Sequence, residues 1–389
     1  MVKVLQILGG GSAIGGVEQM LLNYYSYMDR DKVQFDFCFS SKCTFTTIPK
    51  FQRDAIEKSQ IYSLEAIHGN SSLWNYIKII PKLTKIISNG RYDIVHVNAG
   101  RPALLLAGII ASYRSGVKVR ILHSHSTKGK SGKSNLYDFA YSVFSLSSRF
   151  VFKSLATHFF ACSTEAGKYM FGRDIINSSK YRMIRNAVKV NSYDFNMDVR
   201  NAVRREMNVS GNTKVYGHVG RFSKEKNQLF LLDVFKEIHN ADKNSILWLI
   251  GDGNIDIKKS IVEKIKQLEL ESCVFMLGSR DDVNRLDQAL DALIFPSTYE
   301  GLSVVLIEAQ TSALPVFASS NITKEHKITD LVYFLDLKKG PKKWAAFILE
   351  TMPKLPNRAS VLNDITKNGY NIEHEAKLLQ NFYLQHSRL

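Results

Sequence analysis

The sequence predicts an α/β protein of two doubly wound domains, each a parallel sheet with helices on both faces. Three observations favour this fold class. Short apolar runs rich in β-branched residues alternate with longer amphipathic segments. The alternation stops in a polar stretch over residues 186–212 and then starts again. The length of 389 residues and the hydrophobic content of 45% suffice for two cores, and no apolar run is long enough to predict a membrane span.

The first series of strands and helices begins at the N-terminus, where VKVLQIL runs into a glycine-rich loop. Strands that alternate with helices indicate a parallel sheet covered on both faces. The predicted strands are residues 2–8, 33–39, 93–98, 118–123 and 156–162, and predicted helices include residues 16–28 and 72–87.

The second series follows the polar stretch, and its predicted strands are residues 214–220, 245–251, 273–278, 292–295 and 315–319. Residues 372–385 have the pattern of an amphipathic helix. We therefore predict a first domain over 1–185 and a second over 186–371. The remaining residues, 372–389, are expected to form a helix that crosses back to the first domain.

Charge is distributed unevenly. Residues 1–195 contain 26 Lys and Arg against 12 Asp and Glu, a net charge of +14 out of +16 for the whole chain. The stretch at 112–153 is basic and contains several aromatic residues. Such a surface suits an anionic membrane, nucleic acid or an acidic acceptor, unless the aromatics are core and the charges a solvated face. We favour the membrane surface over nucleic acid, because the basic residues are dispersed among apolar helices and no nucleic-acid-binding module is visible.

The glycine loop at residues 9–16 follows the first strand and opens a helix. A dinucleotide site would also need an acid at the end of the second strand, but Asp36 is followed by Phe-Cys-Phe within the same apolar run. The loop, with Gly15 and Gly16 at its end, is better interpreted as a close backbone approach to a diphosphate or a sugar.

The segment after the strand at 292–295 contains Glu300 and Gly301 in a loop, and then a helix with Glu308. A loop that enters a helix in this way directs unpaired N–H groups and the positive end of the helix dipole at a ligand above the sheet, and a diphosphate suits that position. Carboxylates that accept from hydroxyl groups, beside a phosphate site, indicate a nucleotide sugar. A glycosidase is disfavoured, because its two carboxyl groups must flank one bond about 5–10 Å apart.

Arg221 and Lys226 follow the first strand of the second domain, and Lys226 is expected to begin the next helix. A guanidinium fork and an ammonium group at this position suit one diphosphate. They would neutralise the charge that grows on a departing nucleoside diphosphate. The alternative is a solvated charged turn.

With GRFSKEKNQ (220–228), IGDG (250–253) and PSTYEGLSVVLIEAQTSALPV (296–316), the chain resembles the retaining glycosyltransferases of family four. The resemblance extends over nearly the whole chain and is strongest among bacterial enzymes that build capsular or exopolysaccharide repeat units. It implies the GT-B fold, two facing Rossmann-like domains with a cleft between them. Many relatives have glycine before the proline where this chain has Leu314, a departure that puts the local turn in doubt.

The resemblance also implies roles for single residues. Arg221 and Lys226 would bind the donor diphosphate, Glu308 would accept from the ribose hydroxyls, and Glu300 would hold hydroxyls of the donor sugar near the reacting carbon. Backbone N–H groups at 302–304 would face the phosphates. The implied donor site as a whole contains Gly15, Gly16, Asn186, Arg221, Lys226, Arg280, Glu300, Gly301, Leu302, Ser303, Val304 and Glu308, with Arg280 in the base-contacting loop and Asn186 at the hinge.

In HSHS (123–126), His125 best matches the histidine that relatives direct toward the donor sugar, and His123 remains the alternative. His125 and Glu300 are therefore the predicted catalytic residues. In a retaining transfer the departing phosphate can take the acceptor's proton, so no carboxylate base is required. The sequence shows no set of metal ligands, and we expect a reaction without metal or other cofactor.

The expected function is transfer of a sugar from a nucleotide-diphosphate donor, expected to be a UDP-sugar, to a lipid-linked or saccharide acceptor in cell-surface polysaccharide biosynthesis. The basic first domain predicts a cytoplasmic protein held peripherally on the inner face of the cell membrane. Two alternatives remain open: a GT-B epimerase of nucleotide sugars, and an inactive GT-B subunit that activates a partner transferase.

Overall fold

The computed structural model of the chain describes residues 1–9, 15–41, 50–64, 73–126 and 135–387. The chain forms two compact units. Unit 1 contains Met1–Ala187 together with Ile372–Leu389, and unit 2 contains Val188–Asn371. The helix expected over 372–385 thus belongs to unit 1.

The sheet of unit 1 has seven parallel strands within the described residues, in the order β3-β2-β1-β4-β5-β6-β7. This order places the first strand inside the sheet, as in doubly wound nucleotide-binding folds. The strands are β1 (Val2–Leu8), β2 (Val33–Phe39), β3 (Ile61–Ser63), β4 (Ile94–Ala99), β5 (Val119–Ser124), β6 (His158–Ala161) and β7 (Tyr181–Met183).

Helices cover both faces of this sheet and enclose two apolar cores. One core contains residues of α1 (Gly16–Ser26), α2 (Lys50–Ile56) and the C-terminal helix α16 (Ile372–His386). The other contains residues of α3 (Leu73–Gly90), α4 (Pro102–Arg114), α5 (Asn135–Leu155) and α6 (Thr164–Phe171). A short helix, α7 (Arg173–Ile176), precedes β7.

The sheet of unit 2 has six parallel strands in the order β10-β9-β8-β11-β12-β13, which repeats the topology of unit 1. The strands are β8 (Lys214–Val219), β9 (Ser245–Ile250), β10 (Val274–Gly278), β11 (Ala292–Phe295), β12 (Val316–Ser319) and β13 (Val332–Leu335). The two parallel-sheet domains confirm the predicted α/β, Rossmann-like fold class.

Helices again cover both faces of the sheet in unit 2. One core contains α10 (Gln228–Ala241), α11 (Ile255–Gln267) and α14 (Gly340–Thr351), and the other contains α9 (Met197–Glu206), α12 (Val283–Ala289) and α13 (Val304–Thr311). The short helices α8 (Val190–Tyr193) and α15 (Leu362–Lys367) pack with α13. In the part of the chain that the structure describes, no helix combines the length and apolar character needed to cross a membrane.

Polar side chains interrupt the apolar strands of unit 1 near their carboxyl ends. Gln6 of β1 is paired in register with His96 of β4, and Asn98 of β4 is paired with His123 of β5. All four side chains are buried. Since ligands of doubly wound sheets bind at the carboxyl ends of the strands, these residues lie beside the expected ligand edge of unit 1.

Candidate active site

Two loops of unit 2 lie side by side at the carboxyl ends of β8 and β9. Gly251 has a φ of +138°, and a Cβ there would overlap the carbonyl oxygen of Gly220. The Phe222 N–H donates to the Asp252 carbonyl at 3.0 Å, and the Asn254 N–H donates to the Phe222 carbonyl at 3.1 Å. The loop with GRF (220–222) and the loop with GDG (251–253) are therefore held together by close packing and backbone hydrogen bonds at this edge of the sheet.

Lys226 and Glu300 meet at this edge of the sheet. Lys226 Nζ lies 2.7 Å from Glu300 Oε1, and the two side chains are only 17% and 12% exposed. The ammonium group also lies 4.6 Å from the centre of the Phe295 ring at the end of β11. The expectation that Lys226 begins the next helix is wrong: it ends a 3₁₀ turn, Asn227 adopts a left-handed conformation with φ of 58°, and α10 begins at Gln228.

Arg221 is on the same turn but is exposed. Its carbonyl accepts from Gln228 Nε2 at 3.0 Å, whereas no hydrogen bond or ion pair is found for its guanidinium among the described residues. The structure therefore pairs Lys226 with Glu300 and leaves Arg221 outside that pair.

The loop between β11 and α13, residues 296–303, contains Glu300 and is called the Glu300 loop. The N-terminus of α13 follows it directly. Ser303 is its N-cap residue, and the Ser303 N–H donates to Nε2 of His326 at 2.7 Å. The Ser303 N–H therefore has a protein acceptor in this structure, and the prediction that the N–H groups of Leu302, Ser303 and Val304 face phosphates stays a prediction. At Gly301, two residues earlier, a Cβ would have no atom within 4 Å, so the space beside this residue is open.

Glu308 lies on α13, where Tyr193 of α8 donates a hydrogen bond to it. Burial raises the pKa of Glu308 to about 6, and the Tyr193 hydrogen bond opposes that rise. Asp287 on α12 is 1% exposed, and burial, together with the charge of Glu308, raises its pKa well above the usual value. Burial therefore favours the protonated form of Asp287, while Glu308 receives the hydrogen bond from Tyr193.

Two further buried polar atoms belong to residues close in sequence to Lys226 and Glu300. Ser297 Oγ follows β11, Gln228 Oε1 is at the start of α10, and both have no hydrogen-bond partner among the described residues. An unpaired buried polar atom costs about 1–3 kcal/mol. The loops at the carboxyl ends of β8 and β11 thus contain two cations, a carboxylate and unsatisfied polar atoms, and these groups suit a phosphorylated, hydroxyl-rich ligand.

Arg280, expected in the base-contacting loop, makes a two-pronged ion pair with Asp282. Its Nε and Nη2 atoms each lie 2.7 Å from a carboxylate oxygen of that residue. This hydrogen bonding raises the pKa of Arg280. The structure shows no contact between Arg280 and the Lys226–Glu300 pair, and its role toward a base stays a prediction.

In unit 1, His125 lies at the partly exposed end of a series of side-chain hydrogen bonds that is otherwise buried. Its Nε2 lies 3.1 Å from Asn98 Oδ1. The Asn98 Nδ2 group donates to the His96 carbonyl at 3.2 Å and to Gln6 Oε1 at 2.9 Å. Because a carbonyl oxygen can only accept, Asn98 must present its oxygen to His125, so His125 carries its proton on Nε2 and keeps Nδ1 as an acceptor. Burial lowers the pKa of His125 to about 3, so the ring is neutral at neutral pH.

The series of hydrogen bonds continues to the C-terminal helix, α16. Gln6 Nε2 donates to the Tyr383 hydroxyl at 3.4 Å, this hydroxyl lies 2.8 Å from His96 Nδ1, and His96 Nε2 lies 3.2 Å from His123 Nδ1. His123 is fully buried in this series, whereas His125 is partly exposed. Of the two histidines in HSHS, His125 therefore has surface available to a ligand.

The other predicted residues of unit 1 are at two loops. Gly15 is the N-cap of α1, and its N–H donates to Glu18 Oε2 at 3.0 Å, so this N–H is not open to a phosphate. Gly16 is exposed, with no atom within 4 Å of a would-be Cβ. Residues 10–14 of the glycine loop lie outside the described residues. Asn186 follows β7 at the end of the N-terminal segment of unit 1 and is partly buried.

Within the described residues, no group of three or more His, Cys, Asp or Glu side chains is arranged to hold a metal ion. Tyr193, Asp287 and His326 were not predicted from the sequence. The first two contact or influence Glu308 from helices that no local motif marks, and His326 reaches Ser303 across 23 residues.

Comparison with known families gives two matches that together cover most of the chain. The family Glycosyltransferase Family 4 matches residues 14–192, and the family Glycosyl transferases group 1 matches residues 213–359. The first match lies mainly in unit 1 and the second lies within unit 2.

Relatives and solved structures agree with these two family matches. The putative glycosyltransferase EpsF of Bacillus subtilis is 29% identical over 98% of this chain and 96% of its own length. An Escherichia coli enzyme named UDP-Gal:α-D-GlcNAc-diphosphoundecaprenol α-1,3-galactosyltransferase is 25% identical over 64% of each chain. The structure of HepE from Anabaena in complex with UDP superposes with a TM-score of 0.70 at 18% identity, covering 100% of this chain and 98% of HepE.

The likeness to HepE shows the fold, which agrees with the two domain matches and with EpsF, a relative matched along nearly the full chain. The chain therefore contains a Glycosyltransferase Family 4 domain at residues 14–192 and a Glycosyl transferases group 1 domain at residues 213–359, and it is a glycosyltransferase of the GT-B fold.

Proposed function

We propose that this enzyme transfers a sugar, with retention of configuration, from a UDP-sugar to a lipid-linked or oligosaccharide acceptor in cell-surface polysaccharide assembly. The observation that carries the proposal is the pairing of Lys226 with Glu300 at 2.7 Å beside the N-terminus of α13. One member of this pair suits a diphosphate, and the other suits sugar hydroxyls. The groups suited to the two parts of the donor are thus side by side.

In the proposed reaction, Lys226 and Arg221 hold the diphosphate. Charge grows on the diphosphate oxygens as the sugar–phosphate bond breaks, and fixed cations stabilise that charge more than they stabilise the ground state. Glu300 accepts from donor-sugar hydroxyls, and Glu308, an acceptor when ionised, holds the ribose. The acceptor hydroxyl attacks from the face that the phosphate leaves, and its proton passes to the departing phosphate.

UDP as the nucleotide is supported by two comparisons. HepE has been solved with UDP and also with UDP-glucose, and the E. coli relative is named for transfer from UDP-Gal. The name of the same relative contains a sugar linked to diphosphoundecaprenol, which supports a lipid-linked acceptor. We further propose that the reaction needs no metal, because cationic side chains take the place of a metal at the diphosphate.

A thermal-shift panel of nucleoside diphosphate sugars tests the donor, since a ligand that binds the folded state raises the melting temperature. The stabilising donor is then incubated with polyprenyl-diphosphate-linked sugars, and the anomeric configuration of the product is read by NMR. We expect a new linkage with the donor's configuration. Conversion of the donor without acceptor would indicate an epimerase, and binding without any conversion would indicate an inactive subunit.

We also propose that unit 1 docks on an anionic membrane surface at the cytoplasmic face, through an apolar stripe on α5. Val143, Leu146 and Phe150 lie on one face of this helix and are 50%, 54% and 76% exposed. Phe152, by contrast, is buried and belongs to the core. An exposed apolar stripe on a strongly basic half of the chain suits the interface of anionic lipids. The basic residues Lys128, Lys130 and Lys133 lie outside the described residues.

Flotation with phosphatidylglycerol and phosphatidylcholine vesicles tests this docking. We expect flotation with the anionic vesicles, a decrease at high salt, and loss in the Leu146→Ser/Phe150→Ser variant. Ile255→Ser is the matched control, because Ile255 is 69% exposed on α11 of unit 2. Equal flotation with both lipids, or unchanged flotation of the double variant, would contradict the proposal.

A further inference from the structure

His326 is a buried histidine whose protonation state is fixed by its two hydrogen bonds. It ends a 3₁₀ turn, Lys324–His326, that follows β12. Its Nδ1 lies 2.7 Å from the Thr323 carbonyl oxygen. A carbonyl only accepts, so Nδ1 carries a proton. Its Nε2 lies 2.7 Å from the Ser303 N–H, which only donates, so Nε2 must have its lone pair free and the ring must be neutral.

A second side chain holds the same turn against α13. Gln310 is fully buried on α13, and its Nε2 donates to the His326 carbonyl at 2.7 Å. Its Oε1 accepts from the N–H groups of Ile328 and Thr329, each at 3.0 Å. The segment that carries His326 is therefore fixed to the helix that carries Glu308, which makes His326 a rigid support for the loop in front of that helix.

That loop contains Glu300, three residues before Ser303. Burial lowers the pKa of His326, while the charges of Glu300 and Lys226 act on it in opposite directions. The charges of both members of the ion pair thus act on His326, although the structure shows no hydrogen bond between His326 and either of them. The hydrogen bond that joins His326 to the Glu300 loop comes from the Ser303 N–H.

We propose that neutral His326 is a positioning residue, which fixes the Glu300 loop through the Ser303 amide and so controls placement of the donor sugar, not affinity for the nucleotide. This inference rests on the proposed role of Glu300 at the donor sugar. While His326 holds the Ser303 N–H, that amide cannot serve a phosphate. Loss of the hydrogen bond frees the loop but leaves Lys226 and Arg221 in place, so the nucleotide still binds while the sugar is held less well.

Two amide replacements of different length separate this role from simple packing. In His326→Gln, the amide oxygen reaches the position of Nε2 and still accepts from Ser303. In His326→Asn, the shorter side chain reaches only the position of Nδ1 and serves only Thr323. One lost hydrogen bond to the loop corresponds to about a tenfold effect. We expect kcat to fall about tenfold or more in the Asn variant, to remain within about threefold in the Gln variant, and the Kd for UDP to change little in either.

Hydrogen exchange of the peptide that contains Ser303 gives a readout that does not depend on activity. We expect faster exchange of the Ser303 amide in His326→Asn and near wild-type protection in His326→Gln, at equal melting temperature within a few degrees. Equal exchange and equal kcat in the two variants would overturn the proposal, as would a loss of UDP affinity that parallels the loss of kcat. Failure of the wild-type chain to bind UDP or transfer a sugar would instead refute the proposed function, and the exchange result would still decide the structural part.

Discussion

The two single substitutions at Lys226 and Glu300 and the double substitution separate binding of the nucleotide from binding of the donor sugar. The pair is mostly buried, with 17% and 12% of the side chains exposed and 2.7 Å between Nζ and Oε1. Lys226→Met keeps an unbranched side chain of similar length and removes the ammonium group, which also lies 4.6 Å from the centre of the Phe295 ring. A hydrogen bond from a charged group to a ligand contributes about 1.5–3 kcal/mol, so we expect the Kd for UDP to rise about 10- to 150-fold.

Glu300→Gln should act in a different way. It removes the competitor for the Lys226 ammonium group, so UDP should bind as well as before or more tightly. Transfer should still fall, because the amide holds the sugar hydroxyls less strongly than the carboxylate does. For stability, Lys226→Met should be the worst variant, since it leaves the Glu300 carboxylate unpaired in a mostly buried site. The double variant should recover part of that loss.

Titration calorimetry with UDP and thermal denaturation of the four proteins measure these effects. The matched controls are Lys354→Met and Glu350→Gln, which remove an exposed ion pair at 2.8 Å and should change neither property. The reasoning would be refuted if Glu300→Gln weakened UDP binding by the same factor as Lys226→Met. It would be refuted equally if Lys226→Met left UDP binding unchanged.

Three further predictions concern the rest of the site. In Tyr193→Phe, the lost hydrogen bond should raise the pKa of Glu308 further above about 6, so UDP affinity should begin to fall at a higher pH on acidification; an unchanged profile in calorimetry at a series of pH values would count against the ribose role of Glu308. Asn98→Leu removes the acceptor of His125 Nε2 and the donor to Gln6 and should cost about 1–3 kcal/mol in the free energy of unfolding, measured by urea denaturation; wild-type stability would contradict the hydrogen-bond chain. Transfer activity should be insensitive to EDTA, and an activity lost in EDTA and restored by Mg²⁺ would contradict cationic side chains as the diphosphate partners.

The inner strands of both sheets were predictable, and several edge strands were not. Strands such as β1 and β11 are buried on both faces and therefore appear in the sequence as continuous apolar runs. The missed strands β3, β7 and β13 have three or four residues each and lie at sheet edges. An edge strand needs apolar residues on fewer positions, so its pattern is too short to distinguish it from a loop.

The candidate site was predictable where function requires particular residue types at short spacing. The approach of Lys226 to Glu300 follows from their positions after strands β8 and β11, which are neighbours in the sheet. The partner of the Ser303 N–H was not predictable, because His326 comes from the segment after β12 and no pattern in the sequence specifies that contact. The start of α10 was misplaced because Asn227 adopts a left-handed conformation, which depends on its local contacts and not on apolar spacing.

The return of the last helix to unit 1 has a consequence for how the protein is made. Unit 2 is continuous in sequence, whereas unit 1 needs Ile372–His386 to complete one of its cores and to bring Tyr383 to His96. Domains generally fold as units while the ribosome is still adding residues. Unit 1 therefore completes this core only after Ile372–His386 has left the ribosome, and a nascent chain released before residue 372 would expose the apolar face that Phe382 and Tyr383 normally cover.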